Sequence, residues 1–160
     1  MKFICNKDTI LSVVQTTSKA AAGKSSIQAL EGILMELEGN TLTVTGYDLD
    51  IGIKTSIDVE GIESGNIVIS AKMAVDIIRK MPSGSITFEC SGNNLAEITN
   101  NMTSFSVSCS SADDYPNVPQ VNPDTSFTMP QKLLKSMIIQ TKFAVAVVDS
   151  KPALMGCKFE

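Results

Sequence analysis

The 160-residue chain has no histidine and no tryptophan, and aromatics make up only 5% of it. Without histidine it lacks the side chain most used as a general base and as a transition-metal ligand near neutral pH. With so few rings, a core must be filled by Ile, Val, Leu and Met, and the 43% hydrophobic content is enough to build one. No apolar run reaches the roughly 18 residues of a membrane-spanning helix, so no membrane partner is expected. The opening MKFICNKD has no apolar signal-peptide region. Cysteine is sparse and scattered: Cys5, Cys90, Cys109 and Cys157 form no C-x-x-C pair. That spacing argues against a zinc ribbon or a disulfide framework, and the four read as reduced, buried thiols of a cytoplasmic protein. There is no P-loop and no nucleophile motif. No cofactor, metal or catalytic residue is expected.

What the chain does have is a second beginning. Shifted by 124 positions, residues 1–36 fall without a gap on residues 125–160, with ten identities. Phe3 meets Phe127, Ser12 meets Ser136, Thr17 meets Thr141, and Ala29, Leu30 and Gly32 meet Ala153, Leu154 and Gly156. Self-similarity at a domain-sized period signals duplicated units. The second copy stops after what reads as a strand, a helix and one more strand. A smaller echo, shifted by 53, sets ILMELEGNTL (33–42) on ITFECSGNNL (86–95). Both read as hairpins whose Gly-Asn turn supplies positive φ. The first unit is therefore expected to consist of two similar halves.

Apolar residues at helical spacing predict helices over 8–21, 71–81 and 131–143. Asp8 favours the first N-terminus, and Pro82 with Gly84 ends the second. Segments such as TLTVTG, DIGIKTSIDV and SFSVSCS alternate with a period of two and predict strands with one buried face. ADDYPNVPQVNPDTS, polar and carrying three prolines, reads as a linker. The fold class is α+β, with a pair of helices on one face of the sheets in each unit.

Formal net charge is −4, yet the charges are segregated along the chain. Residues 7–24, 72–81 and 131–143 hold nine of the thirteen cations: Lys7, Lys19, Lys24, Lys72, Arg79, Lys80, Lys132, Lys135 and Lys142. They hold two of the seventeen acids, Asp8 and Asp76. Helices covering one side of the sheets would make that side positive and the other negative. A positive face on an acidic protein suits a polyanion held loosely, without sequence readout.

Duplicated units of two similar halves, together with TGYDLDIGI (45–53), SADDYPNV (111–118), the opening MKF and LMGCKFE (154–160), resemble the bacterial DNA polymerase III beta sliding clamps. The resemblance implies a DNA-clamp fold whose domains each contain two βαβββ-like halves. It implies a complete first domain over 1–122, the start of a second over 123–160, and an absent third. By resemblance the whole protein would be a non-catalytic processivity factor. Two subunits would close head to tail into a ring around double-stranded DNA and tether the polymerase III catalytic subunit, with a clamp loader as further partner. DNA-facing residues would be the nine cations above and Lys151. Val148 departs from the family's usual polar residue near that loop. Lys72, Met73, Met102, Phe105 and Val107 would lie at the subunit interface, and Leu154 would line part of a client-peptide pocket. Two other readings stand beside this one. Asp48 with Asp50, or Asp113 with Asp114, could hold Mg²⁺ for phosphoryl transfer. The chain could also be a protein-interaction module with no DNA role.

Overall fold

The computed structural model describes residues 1–92, 94–119, 126–148 and 150–160. Met1–Pro119 forms one unit and Gln120–Glu160 another.

In the first unit, strand β1 (Lys2–Asn6) runs directly into helix α1 (Lys7–Thr17). Asn6 makes the switch: its Oδ1 accepts the amides of Asp8 at 2.9 Å and Thr9 at 3.4 Å. Those are two of the donors that a helix start leaves unpaired. β2 (Gly32–Glu38), β3 (Thr41–Tyr47) and β4 (Gly52–Asp58) complete the first half. A short β5 (Glu60–Glu63) follows, and the pattern then repeats as β6 (Gly65–Ser70), α2 (Ala71–Lys80), β7 (Ser85–Ser91), β8 (Leu95–Thr99) and β9 (Ser104–Ser110). Ser70 caps α2 by accepting the Met73 amide at 3.4 Å. The two βαβββ halves expected from the inner repeat are present. In the first hairpin Gly39 takes φ +56°, as the Gly-Asn turn requires, but in the second the left-handed residue is Asn94 at +58° and not Gly92. Asn93 lies outside the described residues.

All nine strands join one antiparallel sheet in the order β4-β3-β2-β6-β9-β8-β7-β1-β5. The halves exchange strands: β1 pairs with β7 of the second half, and β6 pairs with β2 of the first. Neither half therefore has a complete sheet of its own. β4 and β5 stand at opposite ends of the order, yet only Val59 separates them in the chain. The sheet must curl until its ends meet. Val59 donates its amide to the Asn40 carbonyl at 2.8 Å, and Gly61 donates to Asn40 Oδ1 at 3.1 Å.

The curled sheet wraps its apolar face around the two helices. Ile10, Val13 and Val14 of α1 and Ala74, Ile77 and Ile78 of α2 share one core cluster with strand residues such as Phe3, Val44, Ile69 and Ile98. Phe3 stacks on Phe88 with ring centroids 5.1 Å apart. Each fully buried aliphatic side chain in such a core contributes about 2 kcal/mol. The polar stretch from Ala112 does not begin a linker. Ala112–Asp114 is a short 3₁₀ turn, and Tyr115 is buried against Leu30, Tyr47 and Val68, with its hydroxyl donating to the Thr45 carbonyl at 3.3 Å. Residues 120–125 of the expected linker lie outside the described residues.

The second unit copies the opening of the first, residue for residue. Helix α3 (Gln131–Thr141) and the 3₁₀ turns Lys142–Ala144 and Pro152–Met155 match α1, Ser18–Ala20 and Gln28–Glu31 at the shift of 124. Thr17 Oγ1 donates to the Val13 carbonyl at 3.0 Å, and Thr141 Oγ1 donates to the Met137 carbonyl at 2.9 Å. Ala22 donates to Leu30, and Ala146 to Leu154. The strands expected at either side of α3 do not form among the described residues. In the first unit β1 is paired by β5 and β7, and β2 by β3 and β6. Residues 126–160 contain no counterpart of those partners, and an unpaired strand leaves its backbone donors to water. For the same reason no residue of α3 is buried, and Leu133, Met137, Ile139 and Phe143 are exposed.

Candidate nucleic-acid interface

Both helices of the first unit lie on the concave, apolar side of the sheet, so their outward faces and the outward face of the strands are opposite surfaces. The helices turn Ile10, Val13 and Val14, and Ala74, Ile77 and Ile78, to the core. Helical period then sends Lys72, Arg79 and Lys80 to solvent, where all three are exposed, and Lys72 and Arg79 share a face seven residues apart. Lys19, on the 3₁₀ turn after α1, and Lys24, in the following loop, are exposed as well.

Ion pairing divides these cations. Arg79 lies 3.9 Å from Asp76 on its own helix. Lys7 differs from the others: its side chain is only 11% exposed and its Nζ sits 3.4 Å from Asp8. As the first residue of α1 it folds back over the core margin, and its charge is largely withdrawn from the surface that the sequence assigned it to. Among the described residues no ion pair engages Lys19, Lys24, Lys72 or Lys80.

The other surface carries the opposite sign. Strand alternation turns Met35 and Leu37 inward and Glu36 and Glu38 outward. It likewise places Asp58, Glu89 and Glu97 outward, on strands whose Ile57, Phe88 and Ile98 face the core. The two lysines on this face are paired, Lys2 with Glu89 at 2.7 Å and Lys54 with Glu36 at 3.9 Å. These acidic residues were not singled out in the sequence, although the period-two alternation that places them was legible there.

In the second unit Lys132, Lys135, Lys142 and Lys151 are exposed. Val148, at the position matching Lys24, is exposed and apolar. Leu154 lies half-exposed in its 3₁₀ turn. Among the residues assigned to a subunit contact, Lys72 and Met73 are exposed in the first turn of α2, and Met102 is 85% exposed at the β8–β9 turn. Val107 is buried in the core and Phe105 packs partly against it. Their side chains pack within this unit, and what β9 leaves open is a backbone edge. β9 pairs with β8 from Ser104 to Ser108 but reaches β6 only at Cys109 and Ser110, so one side of Ser104–Ser108 has no strand partner among the described residues.

The carboxylate pairs considered for metal chemistry are turn caps. Asp48 Oδ1 accepts the amides of Asp50 at 3.0 Å and Ile51 at 2.7 Å. Asp113 shares a hydrogen bond with Ser111 at 2.8 Å. Among the described residues no group of three or more His, Cys, Asp or Glu is placed to hold a metal ion. The amides of Ile51 and then Asp50 hold the Asp48 carboxyl below its ordinary 3.8. A depressed folded value contributes stability above the unfolded one and loses it as pH falls through the folded one. An acid titration followed by circular dichroism should therefore show a smaller acid-side loss in Asp48→Ala than in the wild type.

The family profile described as DNA polymerase III beta subunit, N-terminal domain, matches residues 1–119. A beta sliding clamp from Halalkalibacterium halodurans is 33% identical over all of this chain and 44% of its own length. One from Bacillus subtilis is 31% identical over the same shares. A solved structure of a DNA polymerase III beta subunit from Eubacterium rectale superposes with a TM-score of 0.87 at 32% identity, over 96% of this chain and 42% of that one. The chain thus spans less than half the length of the relatives it matches. With its two strand-exchanged βαβββ halves closed around a helix pair, it belongs to the DNA polymerase III beta subunit family, the beta sliding clamps.

Proposed function

We propose that this chain is the N-terminal part of a ring-forming processivity clamp that encircles duplex DNA. Residues 1–122 would be a complete clamp domain and 123–160 the opening of a second. The observation that carries the reading is the division of charge in the first unit. Among the described residues, four lysines without an ion pair stand on the helix side, and five carboxylates with two paired lysines stand on the strand side. Lysine contacts to phosphate hold a polyanion without reading its sequence, and loose contacts of that kind permit sliding. An acidic outer face disfavours DNA there.

In this reading Lys19, Lys24, Lys72, Arg79 and Lys80, with Lys132, Lys135, Lys142 and Lys151 of the second unit, face the DNA. Lys7 contributes least, because it is buried and paired. The free backbone edge of β9, with exposed Met102, Lys72 and Met73 nearby in role, would meet a second subunit head to tail. Leu154 would belong to a client-peptide pocket completed by residues beyond this chain, with the polymerase and the clamp loader as clients. The work is topological and needs no catalytic residue, cofactor or metal. The compartment is the cytoplasm, and no helix of the described residues is long and apolar enough to cross a membrane.

The test is retention on DNA. The full-length protein carrying this chain should stay on closed circular duplex and run off linear duplex, whereas this chain alone should bind both weakly and lose binding steeply with salt. Tight binding of this chain to linear DNA, or equal retention of the full-length protein on circles and lines, would overturn the reading.

A further inference from the structure

Cys90 and Cys109 look unrelated in the sequence, but folding sets their sulfurs 3.2 Å apart. The sheet register explains the contact. Cys90 of β7 stands opposite Ala96 of β8, and Ala96 stands opposite Val107 of β9. Cys90, Ala96, Val107 and Cys109 therefore share the core-facing side. The strand between the sulfurs presents only the methyl of Ala96, and both thiols lie half-buried at the core margin. Their backbones are held in place. The Cys90 amide donates to the Met1 carbonyl at 2.9 Å, and the Cys109 amide to the Asn94 carbonyl at 2.9 Å. Cys109 is also in register with Ile69 of β6.

We propose that Cys90 and Cys109 form an oxidisable dithiol, a site where a peroxide converts the two thiols into an intrachain disulfide that ties the end of β7 to β9. A disulfide needs its sulfurs at about 2.0 Å and its Cα atoms within about 7 Å; β8 lies between the two strands, so closure must draw the backbones of β7 and β9 together over Ala96 as well as bring the sulfurs about 1.2 Å closer. Either sulfur can meet the oxidant first, and the steps are written for Cys90. Burial, then its hydrogen bond and charge interaction with Cys90, pushes the Cys109 thiol up to about 12, so Cys109 holds its proton until the second step. Cys90 sulfur attacks a peroxide oxygen, the O–O bond breaks, and a sulfenic acid and one water form. Cys109 sulfur then attacks Cys90 sulfur. The S–S bond forms, the S–O bond breaks, and the departing hydroxide takes the Cys109 proton as a second water. Two thiols lose two electrons and one hydrogen peroxide is reduced to two waters. Cys5 differs from both in burial: it is buried on β1, only 8% exposed, and that burial pushes its thiol up to about 12.

The test is a hydrogen peroxide titration of the native full chain, followed by alkylation and peptide mapping. No Lys or Arg lies between Lys80 and Lys132, so trypsin leaves both cysteines in one peptide, whereas cleavage after Glu97 separates them. The expected result is a mass loss of about 2 Da and a link between the Cys90 and Cys109 fragments, reversed by dithiothreitol. That link should exceed any other cysteine pairing by at least about tenfold, an advantage of enforced proximity, and the preference should vanish when the chain is oxidised in denaturant. In Cys109→Ser, a dimedone-type probe should trap sulfenic acid at Cys90. The idea is overturned if both sulfurs go separately to sulfinic acid, or if they link to other chains, without the Cys90–Cys109 bond. Should Cys109→Ser fail to fold, the wild-type map decides alone.

Discussion

Gly46→Val is expected to be strongly destabilising, costing about 3 kcal/mol or more. Gly46 lies buried on β3, on the side that faces the end of α1. A Cβ built there would overlap the Thr17 carbonyl, with the Ala21 amide nitrogen next at 3.5 Å. The obstacle is backbone, not the movable tip of a side chain, so the helix end must lift from the sheet. Thr17 is fully buried, and its hydroxyl bonds to Val13 and Val14 within α1. Lifting the end therefore loosens the turn that carries Val13 and Val14 in the core. Even Gly46→Ala should be costly. Gly23→Ala is the control, because a Cβ there meets nothing within 4 Å. Thermal unfolding should show Gly46→Val melting roughly 10–20 °C below the wild type and Gly23→Ala within a few degrees of it. Equal midpoints for Gly46→Val and the wild type would contradict the close approach of α1 to β3.

Joint reversal of Lys19, Lys24, Lys72 and Lys80 to glutamate is expected to lower duplex affinity at low salt at least about a hundredfold. It should also reduce the slope of log affinity against log salt by about 3–4, since each phosphate contact contributes about 0.9. The four are exposed and, among the described residues, engaged in no ion pair, so under the proposed function their reversal removes phosphate contacts without breaking an ion pair of the protein. The informative comparison holds net charge constant. Lys24→Glu and Lys54→Glu change the formal charge equally, but Lys54 faces outward from β4 beside Glu36. Anisotropy titrations should show weaker binding for Lys24→Glu and nearly unchanged binding for Lys54→Glu. Equal losses would mean that net charge, and not the helix face, governs binding. Thermal midpoints close to the wild type, as expected for surface substitutions, would confirm that the variants remain folded.

The features legible in the sequence share a short range. The 124-residue repeat returned as matching helices, 3₁₀ turns and hydrogen bonds, down to the threonine hydroxyls of Thr17 and Thr141. The inner repeat returned as two βαβββ halves. The strands of the second unit do not form among the described residues, for a reason the same pattern contains. Period-two alternation states which face of a strand is apolar, but not whether a partner exists to pair its backbone. Tyr115 was hidden in a stretch whose prolines and aspartates signalled a linker, because composition does not register one aromatic anchoring a turn to Leu30, Tyr47 and Val68. Lys7 carried the right charge at the right helix, and only its burial beside Asp8 sets it apart from Lys19 and Lys72.

The sequence by itself determined the α+β class, the helix positions, the duplicated architecture and the segregation of lysines onto helices and carboxylates onto strands. Those follow from local periodicity and from side-chain chemistry carried along the chain. Tertiary structure alone decided that β1 pairs with β7 and β6 with β2, that Gly46 must lack a side chain, and that Cys90 meets Cys109. Each of these is a contact between residues distant in the chain. Its geometry is set by the curl and register of the whole sheet, which no local pattern encodes.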